Sequence, residues 1–85
     1  MQSFEYVVKD ELGLHARPAG LLAKFVSACS SEINLTAHDK TASAKKLFGI
    51  MGLCVKMNDK ITFTVIGPDE KADCAKIKEF CEKNI

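Results

Sequence analysis

The order in which strand-type and helix-type hydrophobic patterns follow one another constrains the fold of this chain most. In the predicted strands, apolar and polar residues alternate with a period of two, which is typical of half-buried strands. In the predicted helices, apolar residues recur with helical spacing, so that each helix has one apolar face. The predicted order is β-α-β-β-α-β-α, with a strand at 4–8, a helix at 16–27, a two-stranded hairpin within 32–44, a short helix at 46–53, a strand at 61–65 and a last helix capped by Asp69.

This order predicts the fold class. Each half-buried strand needs a second layer on its apolar face, and the helices are the elements that supply it. Antiparallel sheets commonly keep one face on the core and the other in water. The sequence therefore predicts an α+β open-faced β-sandwich, with three helices on one face of a four-stranded antiparallel sheet. Its 85 residues suffice for one domain, spanning 1–85.

Composition and charge exclude several classes of protein. With 47% hydrophobic and 27% charged residues, the chain has the composition of a globular domain rather than a disordered one. No more than three apolar residues occur in a row, whereas a membrane span needs about 20. We therefore expect neither membrane insertion nor a secretory signal. A formal net charge of +1 and the absence of tryptophan disfavour nucleic-acid binding.

The cysteines and the second histidine show no sign of a metal site. Cys29, Cys54, Cys74 and Cys81 form no CxxC pair and have no zinc-binding spacing. We expect four buried, unpaired thiols, which indicates a cytoplasmic protein without a metal ion or other cofactor. His38 lies in the predicted hairpin and is expected to be a solvated turn residue.

The segment 13–19, Gly-Leu-His-Ala-Arg-Pro-Ala, has the residues of a phosphoryl site. Pro18 fits the first turn of a helix, which places His15 at or just before the helix N-terminus. The backbone N–H groups of Ala16 and Arg17 would be free there, beside the positive end of the helix dipole, and such a place binds phosphate.

The same helix end favours nucleophilic chemistry at His15. The dipole field disfavours the charged imidazolium, so a ring nitrogen keeps its lone pair. Arg17 adds a fixed cation with two N–H donors for phosphoryl oxygens. These residues predict a site for a transient phosphohistidine. A helix-capping or surface histidine beside a solvated arginine is the alternative explanation, because short motifs also match by chance.

The segment 13–19 resembles the HPr family, the histidine-containing phosphocarriers of the bacterial phosphoenolpyruvate:sugar phosphotransferase system. A second resemblance covers 43–53, Ser-Ala-Lys-Lys-Leu-Phe-Gly-Ile-Met-Gly-Leu, and the likeness extends over the whole chain. It implies that His15 accepts the phosphoryl group on Nδ1 and that Arg17 stabilises it. It further implies a carrier rather than an enzyme in the strict sense, with enzyme I as donor and EIIA domains of sugar permeases as acceptors.

The resemblance also implies a surface for these partners on the short helix and the first helix. Its apolar members are spaced to share one face of the short helix, and core packing is the alternative explanation for them. The basic members suit acidic partner surfaces. This surface, called the docking face below, consists of Gly20, Lys24, Lys45, Lys46, Leu47, Phe48 and Met51.

Lys46 departs from a common feature of the family. Many members have a serine there that a regulatory kinase phosphorylates, and a lysine has no hydroxyl group, so we do not expect that regulation. The alternative function is an HPr-like regulatory module that docks on transcription regulators or metabolic enzymes. A carrier that meets two partners in turn is expected to be a monomer.

Overall fold

The computed structural model describes residues 1–85 and has the element order that the sequence predicts. The strands β1 to β4 form one antiparallel sheet in the order β1-β4-β2-β3, which confirms the predicted fold class. No helix is both long enough and apolar enough to cross a membrane. The elements are β1 (Gln2–Val7), α1 (Ala16–Ser27), β2 (Glu32–Ala37), β3 (Lys40–Ser43), α2 (Leu47–Met51), β4 (Lys60–Ile66) and α3 (Glu70–Asn84).

The core lies between the sheet and the helices. Phe63, at the centre of β4, is opposite Phe4 of β1 and Leu35 of β2, and all three side chains are buried. From the helices, Leu22 and Ile77 are fully buried. Burying each large apolar side chain contributes about 1.5–3 kcal/mol. The alternation of buried and exposed residues along the strands follows the sequence pattern, because each strand has one face on the core.

The hairpin between β2 and β3 turns at His38 and Asp39. Both residues have positive φ angles, 52° and 63°, as a tight two-residue hairpin turn requires. His38 is exposed as predicted, but it also has a partner, because its Nε2 lies 2.9 Å from Oδ2 of Asp59. The pKa of Asp59 is lowered, chiefly because the Lys56 N–H donates to its carboxylate and also because of His38.

The four cysteines are free thiols, but they are not all buried. Cys74 and Cys81 are buried, and burial raises the pKa of Cys81 to about 12. Cys29 is half-buried and Cys54 is exposed, so the prediction of four buried thiols is wrong for these two. Cys54 has a φ of 54°, a left-handed conformation that costs a non-glycine residue about 1 kcal/mol. No three His, Cys, Asp or Glu residues come together as metal ligands.

The start of α3 contains a buried carboxylate that the hydrophobic pattern does not reveal. Asp73 is 4% exposed, and its Oδ2 accepts hydrogen bonds from the hydroxyl and the N–H of Ser31, at 2.5 and 3.2 Å. Asp69 is the N-cap residue of α3 as predicted, but its side chain accepts a bond from Ser30 instead of capping the helix. The two pairs join α3 to the chain just before β2.

Asp73→Ala should lower the free energy of unfolding by about 2 kcal/mol at pH 7, because it leaves two buried donors of Ser31 without an acceptor. The pKa of Asp73 is lowered, first by the bond from the Ser31 side chain, despite the opposing effect of burial. The folded-state pKa lies below the unfolded-state pKa of about 3.9. The stabilisation is therefore complete at pH values above the unfolded-state pKa. It is lost as the pH falls through the folded-state pKa.

Urea denaturation of Asp73→Ala and the unaltered protein at pH 7 and at about pH 3 tests this dependence. Asp69→Ala is the matched control, because it removes the exposed aspartate–serine bond beside the buried one and should cost less than about 1 kcal/mol. The prediction is contradicted if the two variants lose equal free energy of unfolding at pH 7. It is also contradicted if the difference in free energy of unfolding between Asp73→Ala and the unaltered protein does not become smaller at low pH.

Candidate functional site

His15 is the N-cap residue of α1, in the position predicted from Pro18. Its backbone is extended, with φ −79° and ψ −174°, and its carbonyl accepts the N–H of Ala19 at 3.0 Å. Its side chain makes no capping hydrogen bond and is 35% exposed. Capping therefore does not account for the histidine, and its ring is accessible to a reacting group.

Gly13 and Leu14 explain why the chain places His15 there. Gly13 has a φ of 68°, and a Cβ at this position would collide with the carbonyl oxygen of Val55. Only glycine allows this close approach, through which the Leu14 N–H donates to the Val55 carbonyl at 3.0 Å. The Leu14 side chain is buried. The residue before His15 is thus anchored in the core, and the next one is directed to the surface.

The N-terminus of α1 has the free donors that a phosphoryl group needs. The N–H groups of Ala16 and Arg17 have no partner within the helix, Pro18 has no N–H, and the first turn has no acidic residue. The guanidinium of Arg17 is exposed and forms none of the protein's ion pairs. The positive end of the helix dipole and the charge of Arg17 therefore act together on one small region.

Two residues that the sequence patterns did not single out also lie beside this region. Together with Arg17, Asp10 and Leu21 line a cavity of about 230 Å³. The spacing of 17, 21 and 24 along a helix could have revealed Leu21, which shares a face with Arg17 and Lys24 and is exposed. No sequence pattern points to Asp10, because a turn brings it beside His15. Its Oδ1 lies 3.9 Å from Nε2 of His15, so Nδ1 is the ring nitrogen without a charged partner.

The apolar part of the docking face is partly exposed to solvent. Phe48 is 83% exposed and Met51 is 36% exposed, so core packing does not explain them. Leu47 is half-buried against the core, and Ile50 is the residue that anchors α2. The helix α2 packs against α1, which brings this apolar surface to the helix that begins at His15.

The remaining members of the docking face differ in accessibility. Lys24 is exposed in the last turn of α1, and Gly20 has open space where a side chain would project. Lys46 is exposed and is the N-cap residue of α2, which it does not cap with its side chain. Lys45 is half-buried, and its ammonium group donates to the carbonyl of Cys29 at 3.2 Å. Its charge is therefore held beyond the C-terminal end of α1.

Comparison with known proteins identifies the family. The family model described as "PTS HPr component phosphorylation site" matches residues 2–83. The chain belongs to the HPr family. The phosphocarrier protein HPr of Mycoplasma genitalium is 40% identical over 85 residues, which cover 99% of this chain and 97% of that protein. The resemblance seen in segments 13–19 and 43–53 is thus confirmed over the whole length.

Solved HPr structures have the same fold. The histidine-containing phosphocarrier protein of a mycoplasma matches with a TM-score of 0.89 and 34% identity, over 93% of this chain and 90% of that one. An HPr from Thermoanaerobacter tengcongensis matches with a TM-score of 0.93 and 31% identity, over 99% and 94%. As an HPr family member, the chain has the general role of a phosphocarrier in the phosphotransferase system.

Proposed function

We propose that the protein accepts a phosphoryl group on Nδ1 of His15 from phosphorylated enzyme I and passes it to EIIA domains of sugar permeases. The observation that carries the proposal is the position of the His15 ring at the start of α1. The ring makes no capping hydrogen bond, and it lies beside two free backbone amides and the unpaired guanidinium of Arg17. An exposed cation and free amides at a helix N-terminus are suited to a doubly charged phosphoryl group.

In the proposed transfer, the lone pair of Nδ1 forms a bond to phosphorus while the bond between phosphorus and the donor breaks. The proton on Nε2 stays in place, so the ring becomes positively charged. The phosphoryl oxygens accept hydrogen bonds from the amides of Ala16 and Arg17 and from the guanidinium. Transfer to the acceptor reverses these steps, and the free phosphocarrier is regenerated.

We infer that the docking face holds both partners in turn. Phe48 and Met51 form its exposed apolar centre, and Lys24 and Lys46 add positive charge beside it. Small apolar surfaces with charged borders suit brief association, because the charges speed the encounter while the buried area remains modest. Lys46 supplies charge at a position where it offers no hydroxyl group for phosphorylation.

Phe48→Ala should raise the KM for transfer to an EIIA domain about tenfold, because exposed aromatic residues at the centre of an interface often contribute more than 1 kcal/mol to binding. Its melting temperature should stay the same, since the side chain is 83% exposed. Initial transfer rates at several carrier concentrations measure this effect.

Val7→Ala is the control, because Val7 is an exposed apolar residue on the face of β1 that points away from the core. It should leave the KM unchanged. If Phe48→Ala raises the KM no more than Val7→Ala does, Phe48 has no part in docking.

The function itself is tested with enzyme I and phosphoenolpyruvate. We expect one acid-labile phosphoryl group per chain, and its transfer when EIIA domains are added. Absence of labelling would contradict the proposal. Labelling without transfer to any EIIA domain of a panel would favour the regulatory module instead. Free thiols suit a protein of the cytoplasm. A carrier that meets two partners in turn suits a monomer.

A further inference from the structure

Asp10 is held beside the imidazole of His15 by contacts that do not involve the histidine. Its Oδ1 accepts the N–H of Leu12 at 2.9 Å, and its carbonyl accepts the N–H of Gly13 at 2.9 Å. Its own N–H donates to the carbonyl of Ile85 at 3.2 Å, which fastens the turn to the last residue of the chain. The same Oδ1 lies 3.9 Å from Nε2 of His15. The carboxylate is thus positioned before any phosphoryl group arrives.

Charged groups of both signs lie near this carboxylate, since Glu11 follows it in the chain and two basic residues line the same cavity. Arg17 and Lys83 line the same cavity of about 230 Å³ as Asp10, and Lys83 is paired with Glu79 on α3 at 2.8 Å. Asp10 is the carboxylate that lies within 4 Å of the His15 ring, and it lies on the Nε2 side of that ring. A distance of 3.9 Å is longer than a hydrogen bond, so the carboxylate acts on the ring through its charge.

We propose that Asp10 is a positioning residue that keeps the proton of the neutral ring on Nε2 and stabilises the positive charge formed on phosphorylation. With the proton on Nε2, the lone pair of Nδ1 is free to attack phosphorus. As the new N–P bond forms and the donor leaves with its electron pair, positive charge develops on the ring. This inference rests on the phosphorylation of His15 proposed above.

Asp10→Asn isolates the charge, because an asparagine oxygen still accepts the Leu12 N–H and preserves the turn. A unit charge about 4 Å away in exposed surroundings alters such a step about fivefold, so the variant should accept phosphoryl groups about fivefold more slowly. Asp10→Glu keeps the charge and should recover most of the rate. Glu11→Gln removes the neighbouring exposed charge and should leave the rate unchanged.

The tautomer of the unphosphorylated ring provides a second measurement. Nitrogen-15 NMR shifts of the His15 ring distinguish a proton on Nε2 from one on Nδ1. In Asp10→Asn, we expect about a twofold increase in the fraction with the proton on Nδ1, whereas Glu11→Gln should not change it. If Asp10 had only a structural role in the turn, Asp10→Asn would leave the tautomer ratio unchanged, because asparagine preserves the hydrogen bonds of the turn.

The inference is overturned if Asp10→Asn leaves the tautomer ratio unchanged or accepts phosphoryl groups as fast as Glu11→Gln. If the unaltered protein accepts no phosphoryl group at all, the proposed function fails. The tautomer ratio then decides by itself whether Asp10 positions the ring.

Discussion

His15→Ala should accept no phosphoryl group from phosphorylated enzyme I, whereas His38→Ala should be labelled as fully as the unaltered protein. The chain has only these two histidines, which makes them a matched pair. His15 stands at a helix N-terminus with free amides, while His38 lies in a hairpin turn and is bound to Asp59. Only the first therefore has groups that can hold a phosphoryl dianion. Radioactive phosphoenolpyruvate and acid treatment measure the labelling.

Loss of labelling in His15→Ala must not come from unfolding. The ring is accessible and makes no capping hydrogen bond, so its removal should change the free energy of unfolding by less than about 0.5 kcal/mol. Thermal denaturation of both histidine variants checks this expectation. An acid-labile label on a folded His15→Ala, or its loss in His38→Ala alone, would show that another residue is the acceptor.

Arg17→Ala should slow phosphoryl transfer about a hundredfold, because removing one preorganised donor from a developing negative charge commonly costs a factor of 10²–10³. The guanidinium forms no ion pair in the free protein, so its donors are available to phosphoryl oxygens. Arg17 is exposed, and the fold should not change. Rapid-quench measurement of transfer from enzyme I gives the rate.

Two variants separate the geometry of Arg17 from its charge. Arg17→Lys keeps the charge but loses the planar pair of donors, so about a tenfold loss is expected. Lys71→Ala removes one exposed positive charge from the first turn of α3 and reports any general effect of net charge on the encounter. A rate for Arg17→Ala equal to that of Lys71→Ala would refute a direct role of the arginine.

The modest number of groups at the site suits a carrier. The proposed phosphoryl group would be held by two amides and one guanidinium on a surface open to solvent. Stronger binding in the ground state would slow its release to the acceptor, since only interactions that strengthen in the transition state speed a transfer. In the proposed transfer, the partners would approach His15 directly and supply the remaining groups.

Much of the fold was predictable because it depends on local patterns. Alternation at 61–65 gave the strand β4, and the helical spacing of apolar residues gave α1 with its buried face. The exposure of Phe48 was not decided by periodicity, since a two-turn apolar helix is compatible with burial on all sides. Only its packing against α1 and the sheet decided which side faces solvent.

The sequence by itself determined the order of elements, the open-faced sandwich and the placement of His15 at a helix N-terminus. Periodicity and the fixed φ of Pro18 act within a few residues, so they are visible in the sequence. Only the tertiary structure decided that Asp10 faces the His15 ring, that Asp73 is buried against Ser31 and that Lys45 is tied to Cys29. These contacts depend on how turns and elements pack together, which no local pattern specifies.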